Sequence, residues 1–137
     1  MNKSLQVSSL SVLILRLCLS GIFVSAGISH LLKPEVVIQR ILDASYNSFA
    51  LFFGHLHLLV ILSGVLMLIG GIVLLFGWAS RWFSLMLLII LIPITITIQM
   101  GNGFFYGPLW KNIALIGALL FFIQNNPKIT VFTQIKL

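Results

Sequence analysis

Between Asp43 and Arg81 the chain carries no Asp, Glu, Lys or Arg, and most of that stretch is Leu, Ile, Val, Gly and Phe. A segment of that length with no charge cannot serve as a water-facing surface. It is long enough to be a membrane span with its flanks, because a hydrocarbon core of roughly 30 Å takes about 20 helical residues. Three further runs of the same kind follow from the pattern. The four spans expected are 9–30, interrupted only by Arg16, then 55–78, 82–100 and 110–124, the last closed by Asn125-Asn126-Pro127. Lipid cannot satisfy exposed backbone groups, so each span is helical. The segments lack the polar/apolar alternation that a membrane strand would show.

Composition agrees. Of 137 residues 60% are apolar and 7% charged, eight Lys/Arg against two Asp/Glu. Water-soluble domains average about a quarter charged residues. The balance excludes an ordinary soluble protein, a disordered chain and a nucleic-acid binder; the net charge of +6 reflects missing acids, not a basic patch. One domain, 1–137, is expected. Cys18 is the only cysteine, which excludes an internal disulfide or a multi-thiolate metal site. No small-x-small cleavage pattern follows the first apolar run, so it reads as a retained span and not a signal peptide.

The connections are unequal. Gly77-Trp78-Ala79-Ser80-Arg81-Trp82 is a tight turn that folds spans two and three into an antiparallel hairpin. Spans one and two are joined by Lys33 to Gly54, whose Pro34–Leu42 portion begins with proline and sets Val37, Ile38, Ile41 and Leu42 on one face. That is the pattern of a short amphipathic helix lying in the interface. The loop from Gly101 to Pro108 is aromatic and uncharged, and Trp78, Trp82 and Trp110 fall at span ends as an aromatic belt requires. Four spans put both termini and the Arg81 turn on one side. Lys3, Arg81, Lys128 and Lys136 lie there, with Arg16 near enough to snorkel, against Lys33, Arg40 and Lys111 opposite. The bias favours cytoplasmic termini.

Small residues suit close helix crossings: Gly21, Ser25 and Ser29 four apart, Ala114 and Ala118 four apart, Gly64 and Gly71 seven apart. Leu87 is expected to face lipid. Pro93 removes the N–H that the Ile89 carbonyl would use and predicts a kink, with Thr95 and Thr97 placed to answer that carbonyl.

The ordered set of Arg16, Gly21-Ile22-Phe23, Ala26-Gly27, Gly70-Gly71, Leu74-Leu75-Phe76-Gly77, Arg81, Lys111-Asn112 and Gly117 resembles the DoxX family of small four-helix membrane proteins, over roughly Leu10 to Phe122. The resemblance implies a bacterial inner-membrane protein. The family takes its name from a small subunit of a membrane thiosulfate:quinone oxidoreductase, and other members are implied in redox-linked membrane complexes. Where many relatives carry an acid a few positions before the double glycine, this chain has Met67, so any chemistry that acid supports would be missing here.

Two groups of residues are candidates for a site. Arg16 sits well inside the first span, where a charge is costly and is a functional hypothesis by default; the plainer reading is that it snorkels or caps carbonyls inside the bundle. Alternating helix directions bring His30, His55, His57, Gln99, Lys111 and Asn112 to one end, with Tyr106 in the adjoining loop. Such a rim can receive a quinone carbonyl, a lipid headgroup or a partner's cofactor; the plainer reading is that a rim is polar because it is wet. Lys111 is the expected anchor. His55 and His57 point about 200° apart on a helix, so they cannot share a metal, and no metal site or catalytic constellation is expected. The candidate ligand-binding residues are Arg16, His30, His55, Gln99, Lys111 and Asn112, with quinone as the one cofactor class to consider.

The expectation is an all-α, integral-membrane four-helix bundle with a short interfacial helix between helices 1 and 2. It would serve as a non-catalytic subunit or scaffold of a redox-linked membrane complex. Its partners would be the lipid bilayer and another membrane protein or further copies of itself, with no nucleic acid. The alternative is a quinone-interacting subunit of an oxidoreductase, which would need electrons from a partner. Third comes a small-solute or lipid transporter, disfavoured by few polar residues in the spans and no visible inverted repeat.

Overall fold

Backbone groups that lipid cannot hydrogen-bond force the apolar runs into helices. The computed structural model, which describes residues 6–128, shows four such helices and no strand among those residues. In chain order the elements are α1 (Ser9–Leu32), α2 (Pro34–Leu42), α3 (Asn47–Leu51), α4 (Leu56–Phe76), α5 (Ser80–Ile94) and α6 (Gly107–Asn125). A π-helical turn, Thr95–Gln99, and a 3-10 turn, Met100–Asn102, prolong α5. The helices α1, α4, α5 with its extension, and α6 are each long and apolar enough to cross a membrane. The protein is a multi-pass, all-α membrane bundle.

The hairpin between α4 and α5 is tighter than the sequence suggests. α5 begins at Ser80, so Arg81 lies in its first turn and not in the connection. The reversal is made at Gly77, whose φ of +80° is open to glycine without strain, and whose N–H reaches the Val73 and Leu74 carbonyls at 3.0 and 3.2 Å. α6 likewise starts three residues before the expected boundary, with Pro108 in its first turn where a missing N–H costs nothing.

α2 starts at Pro34 as its pattern requires, and buries Val37 and Ile41. Leu42 is exposed, so it does not share that buried face. The short α3 was not legible beforehand: five residues with no capping signal. It buries Ala50, which packs with Val37, Ile41 and Val60 in a small second core at this end.

α1 and α4 form the most intimate pair. A methyl at Gly27 would come within 2.8 Å of the Gly64 carbonyl, and one at Gly64 within 2.7 Å of His30 Cβ. At Gly71 it would meet Val24 and the Ser20 carbonyl, while at Gly70 it would meet Leu87. The adjacent glycines therefore serve two interfaces, Gly71 toward α1 and Gly70 toward α5. Leu87 is consequently fully buried, which corrects the expectation that it faces lipid; its partner is the surface that Gly70 leaves bare. The Gly21-Ser25-Ser29 stripe is also corrected. All three are exposed, and nothing lies within 4 Å of a methyl at Gly21. Ser25 donates back to its own Ile22 carbonyl at 3.0 Å. Ala114 is exposed as well.

Pro93 acts as expected in kind but not in detail. α5 gives way to the π turn two residues later, a common answer to a lost helical hydrogen bond. Thr95 Oγ1 donates at 2.7 Å to the Leu91 carbonyl, not to Ile89, and accepts from Asn112 Nδ2 of α6 at 3.0 Å. Both side chains are buried.

Candidate functional site

The two ends of the bundle are built differently. At the end carrying α2, α3 and the 101–106 loop, the loop end, a cavity of about 270 Å³ lies between the last turn of α1, the first three turns of α4, the short helices and the Pro93 region of α5. Its walls are Val37, Ile41, Ala50, Leu59, Leu66 and Ile94 among other apolar side chains. Leu62, Ile89 and Phe53 line its edge and are more than half exposed. In a bilayer, that edge opens sideways toward lipid. Polar groups enter the lining at three side chains, His30, Ser63 and Thr97. His30 Nδ1 is 3.0 Å from Ser63 Oγ, and Ser63 Oγ donates to the Val60 carbonyl at 2.9 Å. The close Gly64 crossing explains why His30 meets Ser63: it brings α1 against the α4 turn that carries the serine.

At the opposite, turn end, Arg16 is fully buried. Its Nη1 donates to the Leu74 carbonyl and to Ser80 Oγ, both at 2.7 Å, and its Nη2 to the Pro127 carbonyl at 3.0 Å. The guanidinium carbon stands 4.8 Å from the centre of the Phe122 ring. No acid is needed to offset this charge. α4 and α6 both end here, and the partial negative charge of their C-termini meets the cation together with the carbonyls themselves. Three more polar atoms, Arg16 Nε, Ser20 Oγ and Ser84 Oγ, are buried without a hydrogen-bond partner. Snorkelling is excluded by the burial; the carbonyl-capping reading is what the geometry shows. Arg16 thus ties α1 to the ends of α4 and α6 and the start of α5.

A family model described as DoxX matches residues 11–100. The chain belongs to the DoxX family. No curated protein and no solved structure matches it. The matched span runs from α1 through the π turn and contains both the Arg16 network on α1, α4 and α5 and every pocket-lining residue.

In this DoxX protein the rim residues do not gather into one site. His30 alone among them lines the pocket. His55, at the start of α4, and His57 are exposed. Lys111 is exposed too, so the side chain expected to anchor the rim does not line the cavity. Asn112 is buried but spends its amide on Thr95. Gln99 is half-buried, with Oε1 buried and unpartnered, and Tyr106 is exposed at the start of α6. Arg16 lies at the other end altogether. Among the described residues no three His, Cys, Asp or Glu side chains come together as metal ligands.

Ser63 and Thr97 went unremarked in the sequence as site residues. Ser63 did leave a signal: it is the one hydroxyl side chain in the long apolar run of α4. The pocket itself left none, since its walls come from six separate segments that only the fold brings together.

Proposed function

We propose that this DoxX protein is a non-catalytic subunit of a redox-linked complex in a bacterial inner membrane, and that its own part is to hold a lipid-soluble molecule of the quinone class in the loop-end pocket. The pocket carries the reading. Its volume lies just under the roughly 300–1,000 Å³ of typical small-molecule sites, so it takes one substituted ring or a short length of chain. An apolar wall with three polar side chains, His30, Ser63 and Thr97, suits a ring with an oxygen at its edge, and the lipid-side opening suits a ligand whose tail remains in the bilayer. The family to which the chain belongs supplies the redox context, and electrons would come from a partner, because the sequence has no motif for a flavin, haem or iron–sulfur cluster.

The partner finds support in the outward faces. Gly21, Ser25 and Ser29 on α1 and Ala114 and Gly117 on α6 are exposed small residues, and in membranes such residues let a second helix approach closely. The charge bias would place both termini and Arg81 in the cytoplasm and the pocket end outside. Lys3 and Lys136, which contribute to that bias, lie outside the described residues. The test is gentle solubilisation from the native membrane, followed by lipid extraction. Quinone should accompany the protein in near-stoichiometric amount, with a second polypeptide present. Protein free of quinone, in a preparation whose activity ignores added quinone, would retire the reading.

A further inference from the structure

The His30–Ser63 pair fixes more than a polar spot, because a hydroxyl has a single proton to give. Ser63 Oγ lies 2.9 Å from the Val60 carbonyl, and a carbonyl only accepts. With the serine proton given there, the contact of 3.0 Å between Ser63 Oγ and His30 Nδ1 is made by an N–H on the ring. A neutral imidazole, the form that an apolar wall favours, carries one N–H. With that proton held at Nδ1, Nε2 presents a bare lone pair. Both side chains line the cavity, and where Nε2 faces it the polar edge accepts a hydrogen bond and does not donate one.

A quinone carbonyl also only accepts, and would meet Nε2 lone pair to lone pair. A quinol carries a hydroxyl that donates. We infer that the pocket holds its ligand through a hydroxyl donated to His30 Nε2, and so takes the reduced, quinol form in preference to the quinone, with Ser63 acting as the positioning residue that sets the tautomer. The inference rests on the pocket reading above and narrows it to ligands that bring a ring hydroxyl. Ser63 touches histidine and not the ligand oxygen; its part is to keep Nε2 unprotonated.

Three probes separate the possibilities: a short-chain quinol kept under anaerobic conditions, the matching quinone, and the quinol's di-O-methyl ether, which retains the ring but has no proton to donate. Titrated against the purified full chain, the quinol should bind about tenfold more tightly than either of the others, the equivalent of one hydrogen bond at about 1.4 kcal/mol per decade. In Ser63→Ala the imidazole can exchange tautomers, and the preference should shrink to about twofold or less while the quinone gains. Ser84→Ala, at the turn end and outside the cavity lining, should leave the preference intact. Nitrogen-15 spectra of histidine-labelled protein in a His55→Gln, His57→Gln background read the tautomer directly, independent of any ligand, and should show the proton on Nδ1. Equal affinities, a preference that survives Ser63→Ala, or a proton on Nε2 overturns the inference and leaves the pocket reading in place. If none of the three probes binds, the pocket reading falls and this inference with it.

Discussion

The turn end and the loop end of this bundle solve opposite problems with the same four helices. At the turn end a fully buried cation is surrounded by carbonyls, a serine and a phenyl ring, and every helix that passes is tied to it. At the loop end no buried charge ties the helices together, and α2, α3 and the Pro93 region of α5 wall a cavity open to the side. The polar end is the closed one. In a membrane the driving force for helix association is packing and hydrogen bonding and not the exclusion of water, so a polar clamp consolidates a bundle where a soluble protein would use apolar bulk. The loop end has no such buried charge, and it is there that we propose a lipid-soluble guest enters.

Breaking the clamp should have the largest effect. Arg16→Ala removes three charge-assisted hydrogen bonds and the ring contact, and takes a donor from the Leu74 and Pro127 carbonyls; each such bond is worth about 1.5–3 kcal/mol. Thermal stability in detergent should fall by an amount on the order of 3 kcal/mol or more, and expression with it. Arg16→Lys keeps the charge but replaces a planar fork by a point donor, so it should recover only part of the loss. If Arg16→Ala is as stable as the parent, the turn end is not held by its cation.

Overpacking the α1–α4 crossing comes next. Gly64→Leu drives a side chain into His30 Cβ and the Gly27 carbonyl, and overpacking of this kind costs about 1–3 kcal/mol. Gly21→Leu, on the open face of α1, should be close to neutral in the isolated protein. Comparable losses in melting temperature for the two would mean that the crossing is placed wrongly. Gly21→Leu has a second use, since it should weaken association with a partner helix while leaving the chain itself stable, which copurification can show.

These two glycines show where the sequence was legible and where it was not. Four helices, their order, the amphipathic α2 and the Gly64–Gly71 contact could all be read from periodicity and spacing. Which of two equally good small-residue stripes faces inward could not, because Gly21-Ser25-Ser29 and Gly64-Gly71 obey the same rule and only the rotation of each helix in the bundle separates them. Leu87 failed for the same reason: an apolar span gives no contrast between a lipid face and a core face. Arg16 could be singled out as an unusual charge, but its partners are mostly main-chain carbonyls, which have no residue type and leave no mark on a sequence. Of the polar rim, only His30 came through as a pocket residue. End-of-helix placement fixes the level of a side chain and says nothing about its bearing around the axis, which is why Lys111 and His55 sit at the expected level and face away.

Topology should show a clear yes-or-no signal with no cost in stability. In a Cys18→Ser background, single cysteines at Asn102 and at Arg81 should label from opposite sides of the membrane; labelling from one side only would break the hairpin on which the whole comparison of ends depends. The gentlest change is at the pocket edge. Leu62 is exposed there, so Leu62→Trp should leave the melting temperature of the ligand-free protein within about half a kcal/mol of the parent, as for most exposed substitutions, while obstructing entry.

That variant gives the most direct test of the difference between the ends. A quinol is titrated against the parent, Leu62→Trp at the loop end and Ser84→Ala at the turn end, all purified in the same detergent. Binding should be lost or weakened at least tenfold in Leu62→Trp and be unchanged in Ser84→Ala. Binding that survives Leu62→Trp, and is lost instead when Ser84 is altered in a protein that still melts cooperatively, would place the ligand beside Arg16 and contradict the assignment of the loop end as the binding end.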